Sequence, residues 1–366
     1  MDISLIYELT TSEVSPDADA VKQRYAECFE QVELADKLGY RAVWFTEHHF
    51  LPGFSHSSAP EIFLAGLAQR TENIRLGHAI VLLPFHINHP LRVAERVAVL
   101  DILSDGRVDF GGGRAISESE LSAFGVDPEE TRPQWEESLR MLPKMWTQEK
   151  FSWKSDLIEI PERTVTPHPL QKPHPPMWVA CTQPATVEFA ANNGLGVLGF
   201  GIGQGQSNDY VKMYREKIAN CTPIGEFVNN RFALWLNTLC SPSDEEALAI
   251  QGPNFTIYNE QVKQLFAPWT GGKAPYSYSW FMEYWEKQSQ ESADVSMEDI
   301  VAAGGAAIGS PDTVVRVFDH HVDAGVDEAL LFMQGATTPH DKIMQSIELI
   351  ATEVLPRVKQ PQTAST

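Results

Sequence analysis

Four consecutive polar residues, Thr46-Glu47-His48-His49, close an apolar run, Ala42-Val43-Trp44-Phe45. The run is of the kind that forms a strand buried on both faces. A buried strand that ends in a carboxylate and two imidazoles has the composition of a proton-transfer site. Adjacent residues on an extended chain point opposite ways, so one histidine is expected to face a central axis and the other to pack outward. That divergence also speaks against the pair as a metal site, which needs a third ligand at suitable spacing.

Three further segments carry candidate chemistry. Phe110-Gly111-Gly112-Gly113-Arg114 joins side-chain-free backbone, open to a flat or bulky ligand, to a forked cation suited to phosphate. Cys181-Thr182-Gln183-Pro184-Ala185-Thr186 reads as a helix start, with Thr182 as a possible N-cap and Pro184 in the first turn, and a helix N-terminus is an anion site. Gly77-His78-Ala79-Ile80 contains a strand glycine, which marks close approach of something to the backbone. His78 itself also reads as a hydrogen-bonded core histidine. Arg132 is placed either beside Arg114 at a phosphate or in a surface salt bridge.

The elements that must position these residues are legible as a repeat. Apolar runs at Ile3–Glu8, Ala42–Phe45, Ile74–Leu83, Val108–Gly112, Met177–Ala180, Val197–Phe200, Phe232–Leu239 and Ala329–Met333 alternate with stretches of helical spacing. Tyr25, Phe29, Val32, Ala35 and Leu38 recur at three or four residues before Gly39, and Val93, Val97, Leu100 and Leu103 do so before Gly106. Ser310-Pro311-Asp312 opens a late helix. Eight strands alternating with helices predict an α/β fold, a (β/α)₈ TIM barrel, in one domain over 1–359. No G-x-G-x-x-G follows the first strand, so a dinucleotide-binding sheet lacks its fingerprint.

Such barrels take roughly 250 residues, and this chain has 366. The surplus is expected in two insertions: proline-rich Lys150–Pro176, and Gln251–Met297 after the seventh strand, which is crowded with aromatic residues and reads as a lid over the barrel mouth. Residues 360–366 are expected to form a disordered tail.

Composition narrows the partners. A net charge of −21 argues against nucleic acid and anionic lipid. No secretory leader or membrane-spanning run is visible, and four scattered cysteines without a CxxC pair suggest neither a disulfide framework nor a zinc site, so a cytoplasmic protein is expected.

Taken in order, Phe45-Thr46-Glu47-His48-His49-Phe50, Gly77 to Pro84, His89-Pro90-Leu91-Arg92-Val93-Ala94-Glu95, Gly106-Arg107 with Phe110 to Arg114, Phe124-Gly125-Val126-Asp127 with Thr131-Arg132, and Ile308-Gly309-Ser310-Pro311 resemble the bacterial luciferase-like family of flavin-dependent monooxygenases. The resemblance implies a TIM barrel with FMN or a deazaflavin coenzyme at its C-terminal mouth. It implies His48 as acid/base, with Glu47 and His49 beside it, and a strained Ala79-Ile80 peptide, often a non-proline cis bond, under the isoalloxazine ring. It places Gly113, Arg114, Arg132, Thr182, Gln183 and Thr186 at the cofactor, the last five at its phosphate end. It further implies reduced FMN delivered by a transient flavin reductase, O2 as co-substrate, a peroxyflavin intermediate, a homodimer, and a small, mainly apolar organic substrate under the lid. Gly113 stands where the light-emitting enzymes carry a reactive cysteine, so light emission does not follow. The alternatives are a deazaflavin-dependent dehydrogenase or reductase on the same barrel, and a non-catalytic flavin-binding accessory subunit.

Overall fold

The computed structural model describes residues 1–13, 17–200, 204–291 and 295–359. Eight parallel strands close on themselves: β1 (Asp2–Tyr7), β2 (Ala42–Phe45), β3 (Arg75–His78), β4 (Val108–Gly113), β5 (Met177–Cys181), β6 (Gly196–Gly199), β7 (Phe232–Cys240) and β8 (Glu328–Phe332). Each pairs with the next, and β8 returns to β1 with Asp2 opposite Glu328. With helices in the connections, this is the expected (β/α)₈ barrel.

Alternation along the strands sorts side chains into two cores. Leu5, Val43, Leu76, Val108, Val179, Leu234 and Leu331 face the surrounding helices. Ile6, Trp44, Trp178, Leu198, Ala233 and Leu330 face the barrel axis. Two indoles dominate the interior, their rings 5.4 Å apart and nearly perpendicular. Each needs a glycine in register on the next strand. Trp44 pairs with Gly77, and a Cβ at 77 would fall 2.1 Å from the Trp44 ring. Trp178 pairs with Gly196, where a Cβ would fall 2.5 Å from its ring. What approaches the backbone at Gly77 is therefore an internal indole and not a ligand.

The floor of the barrel is ionic. Glu328, fully buried, accepts hydrogen bonds from Ser4 Oγ (2.6 Å), Trp44 Nε1 (3.1 Å) and Arg41. Asp109, equally buried, pairs with Arg41 (3.0 Å) and Arg75 (2.8 Å). Burial opposes the Asp109 charge, but the two guanidiniums prevail and hold its carboxyl below the usual range. The two indoles are tied to this floor through their N–H groups, Trp178 donating to Asp109 at 3.4 Å.

Several boundaries differ from expectation. The third run is broken after His78 and resumes as a short strand, Val81–Leu82, paired with Gly112-Gly113. The insertion after β7 begins at the helix Asp244–Phe266 and continues through the helix Tyr276–Glu291. A further strand, Ala306–Gly309, extends the outer end of β7 and was masked in the sequence by its small residues. The proline-rich insertion holds a hairpin, Phe151–Lys154 with Glu159–Arg163. Gly39 and Gly106 sit at positive φ just past their helices, as helix stops should. Residues 360–366, expected as a tail, lie outside the described residues. No described helix is long and apolar enough to cross a membrane.

Two substitutions test this packing. Glu328→Ala takes the acceptor from Ser4 Oγ and Trp44 Nε1 and leaves Arg41 with Asp109 as its buried carboxylate, and should lower unfolding free energy by about 1–3 kcal/mol in denaturant titration. Gly77→Ala forces a methyl into the Trp44 ring and should cost about 1–3 kcal/mol, read as a lowered thermal midpoint.

Candidate active site

The C-terminal tip of β2 is pinned on both sides. Thr46 N bonds the Tyr7 carbonyl, Ser57 Oγ donates to the Thr46 carbonyl at 2.6 Å, and His48 N bonds the Ser57 carbonyl. On this fixed turn Glu47 points into protein. Its carboxylate accepts from Leu82 N (2.9 Å), Asn88 Nδ2 (2.8 Å) and His49 Nε2 (3.0 Å). Three donors on one buried carboxylate make it an anchor between β2 and the segment beyond β3.

His48 takes a different partner. Its Nδ1 lies 3.1 Å from Glu120 Oε1, an oxygen that also accepts from His49 N. Glu120 is fully buried, and its other oxygen accepts from Ser117 Oγ at 2.8 Å. Burial by itself would lower the His48 pKa, but the hydrogen bond and charge of Glu120, with Glu8 and Glu47 farther off, raise it above its ordinary 6.5. The same contact, against the opposing effect of burial, lowers the Glu120 carboxyl below 4.5. With Nδ1 given to Glu120, Nε2 is the nitrogen left to exchange a proton. The two histidines thus diverge as alternation requires, each to its own carboxylate.

Glu120 escaped the sequence reading, although its signal was present. Ser117-Glu118-Ser119-Glu120 has the spacing of a capping box, and Ser117 does cap the helix Glu118–Ala123. The Glu side chain was thereby also placed for His48.

Below the tip, Ala79-Ile80 is a non-proline cis peptide, as the resemblance implied, with Ala79 N bonded to the Phe45 carbonyl at 2.7 Å. The glycines opposite serve this segment. A Cβ on Gly111 would fall 2.2 Å from the His78 carbonyl oxygen, one on Gly112 would meet Leu83 at 2.7 Å, and one on Gly113 would meet the Ile80 side chain at 2.7 Å. The expectation that all three glycines clear space for a ligand is corrected: the space is filled by the broken third strand. His78 is a core histidine, buried with its pKa pushed down to about 4 by loss of solvent.

The tips of β4 and β5 are cationic and rich in N–H groups. Arg114 donates to Thr131 Oγ1 at 3.3 Å and lies 4.7 Å below the Tyr278 ring. Among the described residues it has no carboxylate within ion-pair distance. Burial, with repulsion from Arg132, pulls its guanidinium below its ordinary value. Arg132 does form the salt bridge that was its default reading, to Glu136 at 2.9 Å, and yet stands close enough to Arg114 to be felt. The N-cap position of the helix Pro184–Asn192 is Gln183 and not Thr182, and among the described residues no side chain caps its first N–H groups. Thr182 stands one residue outside it, and Thr186, in its first turn, is buried. Trp135 and Phe189 pack at 4.8 Å, holding this helix beside the helix Thr131–Thr147. Two guanidiniums and an open helix N-terminus on neighbouring strand tips suit a phosphate.

The roof comes from the insertion after β7. Tyr278 donates to the Ala115 carbonyl at 2.8 Å, and Ser277 binds Glu129 and the Pro128 carbonyl. Phe266, Trp269 and Met282 bury themselves against the interior core. Tyr258 stacks on Trp235 and donates to Glu8 Oε1 at 3.3 Å. Glu8, at the tip of β1, is buried, and loss of solvent raises its pKa to about 7 against the opposing pull of His48 and Tyr258. Nothing in the sequence distinguished it from the strand it ends. Among the described residues no group of three or more His, Cys, Asp or Glu is placed to hold a metal ion.

Comparison with known proteins places this mouth in context. The family model for luciferase-like monooxygenases matches residues 6–328. Flavin-dependent trigonelline monooxygenase, oxygenase component, from Acinetobacter baylyi is 26% identical over 93% of this chain and 91% of its own. 4-Hydroxyprotoasukamycin monooxygenase from Streptomyces nodosus is 34% identical over 47% of this chain. The chain spans about half the length of several curated relatives it matches, 46% of that enzyme and 52% of an uncharacterised Sinorhizobium fredii protein. Among solved structures, the oxygenating constituent of Pseudomonas putida 3,6-diketocamphane monooxygenase in complex with FMN superposes with a TM-score of 0.79 at 20% identity, covering 99% of both chains. The coenzyme F420-dependent tetrahydromethanopterin reductase of Methanopyrus kandleri gives 0.68 at 18%, covering 98% of this chain and 99% of its own. With the family model matched across most of its length and the barrel shared with these structures, the chain belongs to the luciferase-like monooxygenase family.

Proposed function

We propose that the protein is the oxygenase component of a two-component, FMN-dependent monooxygenase acting on a small organic substrate. The observation that carries this is the Arg114 corner: a half-buried guanidinium that has no carboxylate partner among the described residues, beside Arg132 and a helix N-terminus that no described side chain caps, fits the phosphate of FMN. Thr182, Gln183 and Thr186 supply hydroxyl, amide and first-turn groups at the same corner. Ala79 and Ile80, backed by Gly113, form the ledge on which the ring would rest.

When bound, reduced FMN supplies the activation of O2. The chain's own residues do the rest. His48 holds or releases a proton at Nε2, and Glu120 fixes its ring and keeps it charged to higher pH. Glu47 and His49 are positioning residues that lock the turn. The aromatic roof excludes water from the mouth. The absence of a dinucleotide fingerprint favours a separate flavin reductase as the source of reduced cofactor, and a cytoplasmic homodimer is part of the same reading. A deazaflavin dehydrogenase on the same barrel is the second reading, favoured by the likeness to F420-dependent structures.

Anaerobic titration with reduced FMN followed by rapid mixing with O2 tests the reading. An absorbing species that persists before oxidised flavin appears is expected. Immediate reoxidation, absence of binding, or rapid unaided oxidation of NADH would overturn it. Arg114→Ala should weaken FMN binding about 10- to 100-fold, the worth of one charged hydrogen bond, and leave riboflavin binding unchanged. His48→Ala should lower turnover about 10²–10⁴-fold with flavin binding retained.

The His48–Glu120 pair also predicts a pH dependence. The lowered Glu120 pKa contributes stability above 4.5 that is lost as pH falls through the folded value. The raised His48 pKa contributes stability below 6.5 that is lost as pH rises through its folded value. The pair therefore helps most between these limits. Glu120→Gln should lower the His48 titration midpoint, read by NMR, and flatten the stability profile there.

A further inference from the structure

The strand order puts β8 and β1 across the barrel from β4 and β5, so the mouth has a second end opposite Arg114. At that end lie buried polar atoms without partners among the described residues: Glu8 Oε2, Thr10 Oγ1, Trp235 Nε1 and both side-chain polar atoms of Gln334. They come from three adjacent strands: Glu8 and Thr10 follow β1, Gln334 follows β8, and Trp235 lies within β7. Continuing the β1–β8 register, in which Leu5 faces Leu331, sets Glu8 opposite Gln334. Tyr258 ties the set together: it bonds Glu8, stacks on Trp235 at 5.7 Å, packs on Phe332 at 5.5 Å and shares a narrow cleft with Thr10. Glu8, Thr10 and Gln334 are each at most 4% exposed.

Buried polar groups are normally paired, and a group of orphans on one wall of a mouth is what a ligand would satisfy. Their chemistry limits the ligand. Gln334 offers a donor and an acceptor side by side, so both are satisfied at once by a group that presents an acceptor and a donor side by side. Trp235 Nε1 only donates, and calls for a carbonyl. Glu8 Oε2 accepts an N–H when the carboxyl is ionised and donates an O–H when it is not. A carboxylate has no donor and would leave Gln334 Oε1 unmet.

Resting on the oxygenase reading above, we propose that Glu8, Thr10, Trp235 and Gln334 form the polar end of the substrate site, and that the substrate carries an amide or lactam head. The head is held at β7, β8 and β1, and the body of the molecule extends toward His48 and the Ala79-Ile80 ledge. Trp235, Tyr258 and Phe332 supply an apolar collar for a ring or short chain next to the head.

The test uses the full chain without flavin, so its result is independent of FMN binding, which is titrated separately. Benzamide and toluene, matched in body and differing in head, are titrated by tryptophan fluorescence. Benzamide should bind at least tenfold more tightly than toluene. Gln334→Met should abolish that preference and raise the thermal midpoint, because it removes two unpaired buried atoms while keeping the volume. Trp235→Phe, which keeps a ring and removes the N–H, should also reduce the preference. Equal binding of the two probes by the natural chain, or a preference that survives both substitutions, overturns the assignment. Failure of FMN to bind while benzamide retains its preference would instead overturn the cofactor reading.

Discussion

The Glu47 carboxylate is the fixed point of the barrel mouth. A buried carboxylate is costly unless its lone pairs are met, and here three donors from three separate segments meet them. Leu82 N comes from beyond the cis peptide, Asn88 from just before the helix Pro90–Leu103, and His49 from the same turn. The interaction therefore decides where β3 is broken, where Ala79-Ile80 lies, and which way the His48 backbone runs. The Arg96–Asn88 and Arg96–Glu61 contacts extend the same restraint to the surrounding helices. A residue that reads as catalytic by position acts, in its contacts, as a structural brace.

The site is a division of labour between two acid–imidazole pairs. His49 is spent on Glu47 within the brace, while His48 faces Glu120 from a short helix that belongs to the next βα loop but one. A rigid strand tip and a helix cap meet at one imidazole ring, so its tautomer and tilt are set by elements that do not move independently. On the far side, the roof reaches Arg114 through Tyr278 and Glu8 through Tyr258, so one insertion touches both ends of the mouth.

Much of this was legible in the sequence because the barrel repeats one rule eight times: an apolar run, a polar tip, an amphipathic helix. The tip at Thr46–His49 was visible because charged groups interrupt a buried run. The strand Ala306–Gly309 was not visible as a strand, since Ala-Ala-Ile-Gly carries little β signal and its pairing partner is far away in sequence. Glu120 and Glu8 were missed for opposite reasons. Glu120 sits in a capping box whose local explanation was sufficient, and Glu8 ends a strand whose inward face only closure of the barrel reveals. The glycines of β4 were read as room for a ligand, because a sequence cannot say which neighbour fills the space a side chain leaves.

That last correction has an evolutionary side. Ile80 and Gly113 occupy one volume between them: the branched side chain on the ledge takes the space that a side chain on β4 would need. A larger residue at 113 fits only if the Ile80 side chain turns or shortens. A side chain gained at 113 is thus limited by the ledge beside it and not by the strand that carries it. A lineage that placed a side chain at position 113 would need a turned or shortened residue 80, and with it a differently shaped ledge.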